Sequence, residues 1–288
     1  MTAAVMAWAL SRLEVGQRVI LASVVETAGS VPGKVGARLA MTPDEQWVGT
    51  VGGAGLELKV LQRCKERLQT HHRPFGEVVR YGLNKGAKGY EVTPLDSLCG
   101  GQVTLSIEVM IPMPHVLLMG GGHCGQAIAK SLDALDWQYS VHDTRTEFST
   151  EVMYPNAQYR SSVPVDVFLQ AETLESLHRF SDVLLLGHDW SEDQERLLGL
   201  LHLFHDAKAI PDGQRGPRIG VIGSRSKWQT FEKKCLGQGI EQSILDGVVC
   251  PIGLNIGAES PEEIAVAVVA QIMASFKGID SESSIWRT

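Results

Sequence analysis

His115-Val-Leu-Leu-Met-Gly-Gly-Gly-His-Cys-Gly125, followed after a helix-like stretch by Tyr139-Ser-Val-His-Asp143, decides the fold. An apolar run, Val116 to Met119, ends in Gly120, Gly122 and Gly125 at G-x-G-x-x-G spacing. Asp143 closes a second short strand pattern. Strand, tight turn, helix and acid in that order make the dinucleotide-binding fingerprint. Its glycines serve a tight turn, close approach of backbone to phosphate, and packing of helix on strand. The helix that starts there offers unpaired N–H groups and a positive dipole end to a phosphate. A carboxylate at the end of the second strand falls where a ribose or other polyol hydroxyl would lie. The stretch predicts a phosphate-bearing, nucleotide-like ligand.

Outward from that stretch, strand and helix patterns alternate. Strands are expected at Val116–Met119, Tyr139–His142, Asp182–Leu186 and Arg218–Ile222. Helices are expected at His123–Trp137, Glu172–Arg179, Glu192–His205 and Lys227–Leu236. Such alternation implies crossovers and a parallel sheet. Ser260-Pro-Glu-Glu263 announces a last helix, with Ser260 as N-cap, Pro261 as first helical residue and Glu263 closing a capping box. Its apolar face runs through Ile264, Val268 and Ile272.

Before this region the pattern is mixed. Residues 3–13 suit a helix, and strands are expected at Arg18–Glu26, Ala37–Met41, Trp47–Thr50, Gly76–Tyr81 and Val103–Val109. Leu56–Gln69 has helical periodicity, with Leu58, Leu61 and Leu68 spaced for one face. Met110-Ile-Pro-Met-Pro114 reads as the boundary, because each proline holds its predecessor extended. The expected fold class is α/β: a C-terminal Rossmann-like parallel sheet with helices on both faces, preceded by a smaller α+β N-terminal domain. The expected domains are 1–110, 111–278 and a polar tail, 279–288.

Composition narrows the function classes. A net charge of −7 over 288 residues argues against a nucleic-acid binder with a broad basic surface. No apolar run reaches the roughly 18 residues needed to span a bilayer, and residues 1–13 lack the pattern of a signal peptide. Five cysteines with no C-x-x-C pair suit a reducing cytoplasm and give no zinc-site spacing. The expectation is a cytoplasmic protein without a membrane or nucleic-acid partner and without a metal-ligand set.

Further motifs carry candidate chemistry. The first domain holds three glycine-rich marks: Glu26–Ala37, Gly49–Gly55 and Cys99-Gly-Gly101. Each reads either as tight turns or as backbone lining a pocket. Cys99 reads as a reachable thiol or as a small buried hydrophobe. In the second domain, His188 and Asp189 follow a strand and fall at the sheet's carboxyl edge. There they suit acid–base work or sugar hydroxyls, unless Ser191 merely caps the next helix. Ser224, Arg225 and Lys227 open another helix and suit an anionic group. Cys250–Gly257 is an extended loop that either folds over the pocket or connects elements.

These marks, in this order, resemble the XdhC/CoxF family of xanthine dehydrogenase accessory proteins. The resemblance spans nearly the whole chain. It rests on Gly29-Ser30, Pro32 and Gly36-Ala37, on Gly49-Thr-Val-Gly-Gly-Ala-Gly-Leu-Glu57, and on Cys99–Gly101. In the second domain it rests on Gly120–His123, Asp143-Thr-Arg145, Gly187-His-Asp189, Gly223–Lys227 and Pro251–Gly257. The chain departs from the usual pattern at Ala54, Cys124 and Gly187 and in Val31-Pro-Gly-Lys34.

The resemblance implies a molybdenum-cofactor chaperone rather than a stand-alone enzyme. Its cargo is molybdopterin, which it protects during sulfuration and inserts into a molybdenum hydroxylase such as xanthine dehydrogenase. Implied partners are that client and a cysteine desulfurase, and by analogy a second copy of the chain. Cys99 becomes the catalytic thiol facing the metal or a sulfur donor. Gly120, Gly122, His123, Gly125, Asp143, Arg145, His188, Asp189, Ser224, Arg225 and Lys227 become the cofactor-binding set. The competing reading is an NAD(P)-dependent oxidoreductase with His188 as the acid–base residue.

Overall fold

A computed structural model describes residues 2–83, 92–94, 101–206 and 216–279. Two compact units divide the chain near residue 112.

The first unit contains α1 (Thr2–Glu14), β1 (Val19–Ala28), β2 (Arg38–Met41), β3 (Trp47–Gly49), α2 (Ala54–Thr70), β4 (Phe75–Gly82), β5 (Val92–Pro94) and β6 (Gln102–Met110). The six strands form one sheet in the order β3-β2-β1-β6-β4-β5. All neighbours are antiparallel except β4 and β5. Alternation along β1 sends Ile20, Ala22 and Val24 to one face and Val19 and Leu21 to the other. Helix α2 covers the first face through Leu56, Val60, Cys64 and Leu68, and α1 covers part of the second through Val5 and Ala9. Leu58, expected on the inner face of α2, is 68% exposed. Leu61 and Leu68 do pack on the first face, and Leu56 takes the place expected of Leu58, because the i, i+4 row from Leu56 continues through Val60 to Cys64 while that from Leu58 meets Gln62 and Glu66.

The second unit begins with β7 (His115–Met119), α3 (His123–Asp133), β8 (Gln138–His142), a single 3₁₀ turn (Thr146–Phe148) and β9 (Arg160–Ser161). It continues through α4 (Val165–Ala171), α5 (Leu174–Leu177), β10 (Asp182–Leu185) and α6 (Trp190–Asp206). It closes with β11 (Arg218–Val221), α7 (Arg225–Gly237), α8 (Gln242–Leu245) and α9 (Pro261–Lys277). Its sheet is parallel throughout, in the order β11-β10-β7-β8-β9. Strand order reverses at β7, which is the doubly wound arrangement. The strand alternates accordingly. Val116 and Leu118 pack with α3 and α9, while Leu117 and Met119 pack with α4, α6 and α7. The fold is therefore α/β, with a Rossmann-type C-terminal part preceded by a smaller antiparallel-sheet part.

Several expected boundaries move for local reasons. Helix α3 stops at Asp133, because Asp136 adopts a left-handed conformation (φ 54°) and the Trp137 N–H turns back to Leu132 O at 3.0 Å. The helix expected at Glu172–Arg179 shortens to α5, and a separate helix that was not expected, α4, precedes it, the two being divided at Glu172. There Thr173 starts a capping box with Ser176, and the Glu172 carboxylate pairs with Arg179. Strand β9 is only two residues long and has no periodicity to read. The announced helix α9 forms with its full box: Ser260 Oγ accepts from Glu263 N at 3.2 Å, and Glu263 Oε2 accepts from Ser260 N at 3.1 Å. No described helix is long and apolar enough to cross a membrane.

Candidate functional site

Strand β7 delivers the glycine turn to the carboxyl edge of the sheet at the point where strand order reverses, the place where ligands of such sheets bind. Gly120 has φ 129°, and a Cβ there would lie 2.6 Å from the Leu186 carbonyl carbon. Only glycine lets β7 turn this close to the end of β10. A Cβ on Gly125 would meet Gly120 O at 2.4 Å, so helix and turn are in backbone contact. Gly122 is different: it is the N-cap of α3, with no side-chain cap. A Cβ there would meet only Arg145 Nη2, at 4.0 Å. The first-turn N–H groups lack intrahelical acceptors and are not occupied by a side-chain cap. His123 stands exposed on this turn, which carries no acidic residue.

Asp143 is almost fully buried and takes four donors. Its Oδ1 accepts from Arg145 N (3.0 Å) and Nε (2.9 Å), and its Oδ2 accepts from Gly121 N and Arg145 Nη2 (both 2.8 Å). A carboxylate has about four acceptor positions, so this one is saturated from within the protein. Burial alone would raise its pKa, but the Arg145 and Gly121 hydrogen bonds outweigh it and hold the carboxyl below the usual range. The Arg145 guanidinium also stacks over Phe148 at 3.9 Å. Tyr154 closes the back of the turn by donating to Gly121 O at 2.7 Å, and burial raises its phenol pKa.

A second, deeper group joins the remaining edge loops. Asp193, fully buried on α6, accepts from Gly187 N (3.1 Å), Arg196 Nη1 (3.1 Å) and Lys227 Nζ (2.8 Å). Lys227 Nζ also donates to Ile222 O at 3.0 Å, and Arg196 pairs with Glu192 at 3.1 Å. Glu192 in turn accepts from Thr144 Oγ1 at 2.7 Å. The loops that follow β8, β10 and β11 are thus tied into one polar network. Gly187 is required by it, since a Cβ there would lie 2.3 Å from Asp193 Oδ1.

The sequence-derived residues divide into groups. Gly120, Gly122, His123, Gly125, Asp143 and Arg145 come together around one turn. Lys227 is buried, with its ammonium turned toward Asp193 and Ile222 O. Ser224 caps α7, accepting from Lys227 N at 3.3 Å, and Arg225 beside it is exposed. Asp189 is the residue before α6, and its Oδ1 accepts from Ser191 N and Oγ. Those Ser191 bonds lower its pKa, as an N-cap carboxylate requires. His188 is exposed. Cys99 lies outside the described residues.

Of the first unit's glycine-rich marks, the described parts interlock. A Cβ on Gly33 would lie 2.3 Å from Val51 O, and one on Gly101 would lie 2.5 Å from Ala28 O and 2.8 Å from Ser30 O.

Sequence reasoning missed Glu192, Asp193 and Arg196. Their signal was an i, i+3 ion pair set among Leu197, Leu200 and Leu201, a charged pair on an inward helical face. It also missed Tyr154 and Phe148, whose roles depend on long-range contacts.

Comparison with known proteins places these observations. The XdhC Rossmann domain profile matches residues 116–272, and the XdhC and CoxI family profile matches residues 12–82. The chain belongs to the XdhC family. Curated relatives of this XdhC-family chain include the "Uncharacterized protein YqeB" of Escherichia coli, 29% identical over 88% of this chain and 42% of that protein. They also include a probable xanthine dehydrogenase subunit of Bacillus subtilis, 28% identical over 60% of this chain and 46% of that protein. The chain therefore spans less than half the length of these two curated relatives. Among solved structures, a Bacillus halodurans protein described as a xanthine dehydrogenase covers 99% of this chain and 98% of its own. It shows 17% identity and a TM-score of 0.47.

Proposed function

We propose that this chain is an accessory protein that binds the molybdenum cofactor, supports its sulfuration and inserts it into a xanthine dehydrogenase-type molybdenum hydroxylase. The observation that carries the reading is the Gly120–Gly125 turn, whose helix N-terminus at Gly122 has neither side-chain cap nor acidic residue. Molybdopterin ends in a phosphate, and such a terminus suits that group. Gly122, His123 and Gly125 frame the phosphate, with Arg145 at its flank. His188, Ser224 and Arg225 stand on the neighbouring loops of the same sheet edge. Asp143, Asp189 and Lys227 act as positioning residues, holding the turn and the starts of α6 and α7. Cys99 is assigned the thiol for sulfur chemistry. The metal is carried as cargo by its own dithiolene and needs no protein ligand set. Cytoplasmic action, self-association and contact with a cysteine desulfurase belong to the same reading.

The alternative, an NAD(P)-dependent oxidoreductase, would use the same turn. It lacks its usual ribose acceptor, because all four acceptor positions of Asp143 are taken.

The test is retention of cargo. The chain is incubated with molybdenum cofactor released from a donor enzyme, passed through gel filtration under inert gas, and assayed for molybdenum and pterin. Near-stoichiometric retention is expected, with loss in His123→Glu, whose added charge repels the phosphate while suiting the helix start. Tight NAD(P) retention with no pterin overturns the reading.

A further inference from the structure

A pocket of about 710 Å³ opens at the carboxyl edge beyond β11, within the roughly 300–1,000 Å³ range of small-molecule sites. Ile222, Ile252, Leu254, Ile256, Ile264 and Ala267 provide its apolar walls, and no charged side chain among the described residues lines it. Ser224 and Asn255 supply the polar side chains of that described lining.

Its construction is asymmetric. On the inner side the loop is fixed: Ile252 N donates to Val221 O at 3.0 Å, Gly253 N to Gln271 Oε1 at 2.7 Å, and Leu254 N to Ala267 O at 3.1 Å. The Ile252 side chain sits against Gly220, where a Cβ would come within 2.7 Å of its Cδ1. On the outer side Ile256 is 56% exposed, and a Cβ on Gly257 would meet nothing within 4 Å. A branched apolar side chain held at the rim of an apolar pocket gains contact only when something enters.

One wall of the pocket, helix α9, packs against the glycine-turn helix. Helix α9, which contributes Ile264 and Ala267, shares one core cluster with α3 through Ala127, Ile128, Ala265 and Val268. Burial, and after it the Glu262 carboxylate on the first turn of α9, raises the pKa of the Cys124 thiol on the first turn of α3.

We infer that this pocket takes an uncharged, flat heterocyclic ring. The ring belongs to the molecule whose phosphate sits at the start of α3, so the inference rests on the reading above for the phosphate end alone. A ring of pterin, nicotinamide or purine type has apolar faces and a hydrogen-bonding edge. The faces suit Ile252, Ile256 and Ile264, and the edge suits Ser224 and Asn255. An anionic group is disfavoured, because the described lining offers no cation to replace its water.

Isoleucine methyl NMR on the full chain tests this directly, since Ile222, Ile252, Ile256 and Ile264 lie in the pocket while Ile20 and Ile107 lie in the first unit's core. Free pterin, nicotinamide and adenine, none carrying phosphate, are titrated separately. Saturable shifts confined to the pocket methyls are expected with at least one ring, and the ring that binds tightest identifies the source. Ile256→Glu, at an exposed position, should weaken that ring about tenfold, or about 1.4 kcal/mol, and leave the first-unit methyls unmoved. Pocket methyls that stay still with all three rings overturn the inference, as does an unchanged affinity in Ile256→Glu. If the rings shift these methyls but the chain retains no molybdenum cofactor, the pocket assignment stands and the chaperone reading fails. If the cofactor is retained and loaded protein leaves these methyls unmoved, the opposite holds.

Discussion

Lys227 Nζ donates to Asp193 Oδ2 at 2.8 Å with both side chains out of solvent, which joins the start of α7 to the first turn of α6. Asp193 also holds Gly187 N and Arg196. A single buried carboxylate therefore fixes the positions of two loops at the carboxyl edge of the sheet. Charges buried this deeply persist only when paired and hydrogen-bonded.

Removing one partner should show it. Among the described residues, Lys227→Met leaves Asp193 with Arg196 as its one close cation. Breaking a buried pair in this way costs about 3–5 kcal/mol. Urea denaturation of the variant should show a loss of this order. Lys227→Met combined with Asp193→Asn should recover part of it. An unchanged midpoint in Lys227→Met would show that the network does not hold the edge together.

Arg145→Lys tests the fork on Asp143. Lysine keeps the charge but cannot give the two parallel N–H bonds or the stack on Phe148. A stability loss of about 1–3 kcal/mol is expected for the lost charge-assisted bonds. Weaker retention of molybdenum cofactor should accompany it, because Gly121 N is positioned by the same carboxylate. Full retention in this variant would show that the Asp143–Arg145 fork takes no part in binding.

His115 predicts a pH dependence. Its Nε2 shares a hydrogen bond with Ser140 Oγ at 2.9 Å, and its ring meets Phe180 edge-on. Burial, with Arg179 adding to it, lowers its pKa from 6.5 to about 4. Between those values the unfolded chain binds a proton that the folded chain refuses. Stability is therefore fully present above pH 6.5 and falls as the pH drops toward 4. In His115→Asn this contribution should vanish, which denaturation midpoints measured across that window can read. A slope unchanged by the substitution would assign the acid sensitivity to other groups.

Cys99→Ala is expected to separate binding from sulfur chemistry. The Cys99-Gly-Gly101 motif motivates it, together with the backbone packing of Gly101 against Ala28 and Ser30. The variant should retain cofactor at the wild-type ratio and fail to activate a client hydroxylase when sulfur must be supplied. Activation equal to wild type would remove Cys99 from the mechanism.

The glycine turn was legible because its requirements are local. Gly120, Gly122 and Gly125 occupy fixed offsets in a strand–turn–helix, and the capping box of α9 is likewise written in four consecutive residues. On the inner face of α2, Leu61 and Leu68 pack as expected but Leu58 does not, since Leu56 and Leu58 are equally apolar and only packing against the sheet chooses between them.

The sequence by itself determined the glycine turn and the start of α9, because each depends on backbone sterics and hydrogen bonding within a few residues, and it implied the parallel sheet through the alternation of strand and helix patterns. Tertiary structure alone decided that Asp143 is saturated by Arg145 and Gly121, that Lys227 points inward to Asp193, and that Ile252, Ile256 and Ile264 enclose a pocket. The two polar contacts join groups far apart in the chain: the Gly121 backbone N–H and the Asp143 carboxylate are 22 residues apart, and the Asp193 and Lys227 side chains are 34 apart. Whether a polar group is satisfied internally or left for a ligand is settled only when the folded chain brings its partners within hydrogen-bonding distance.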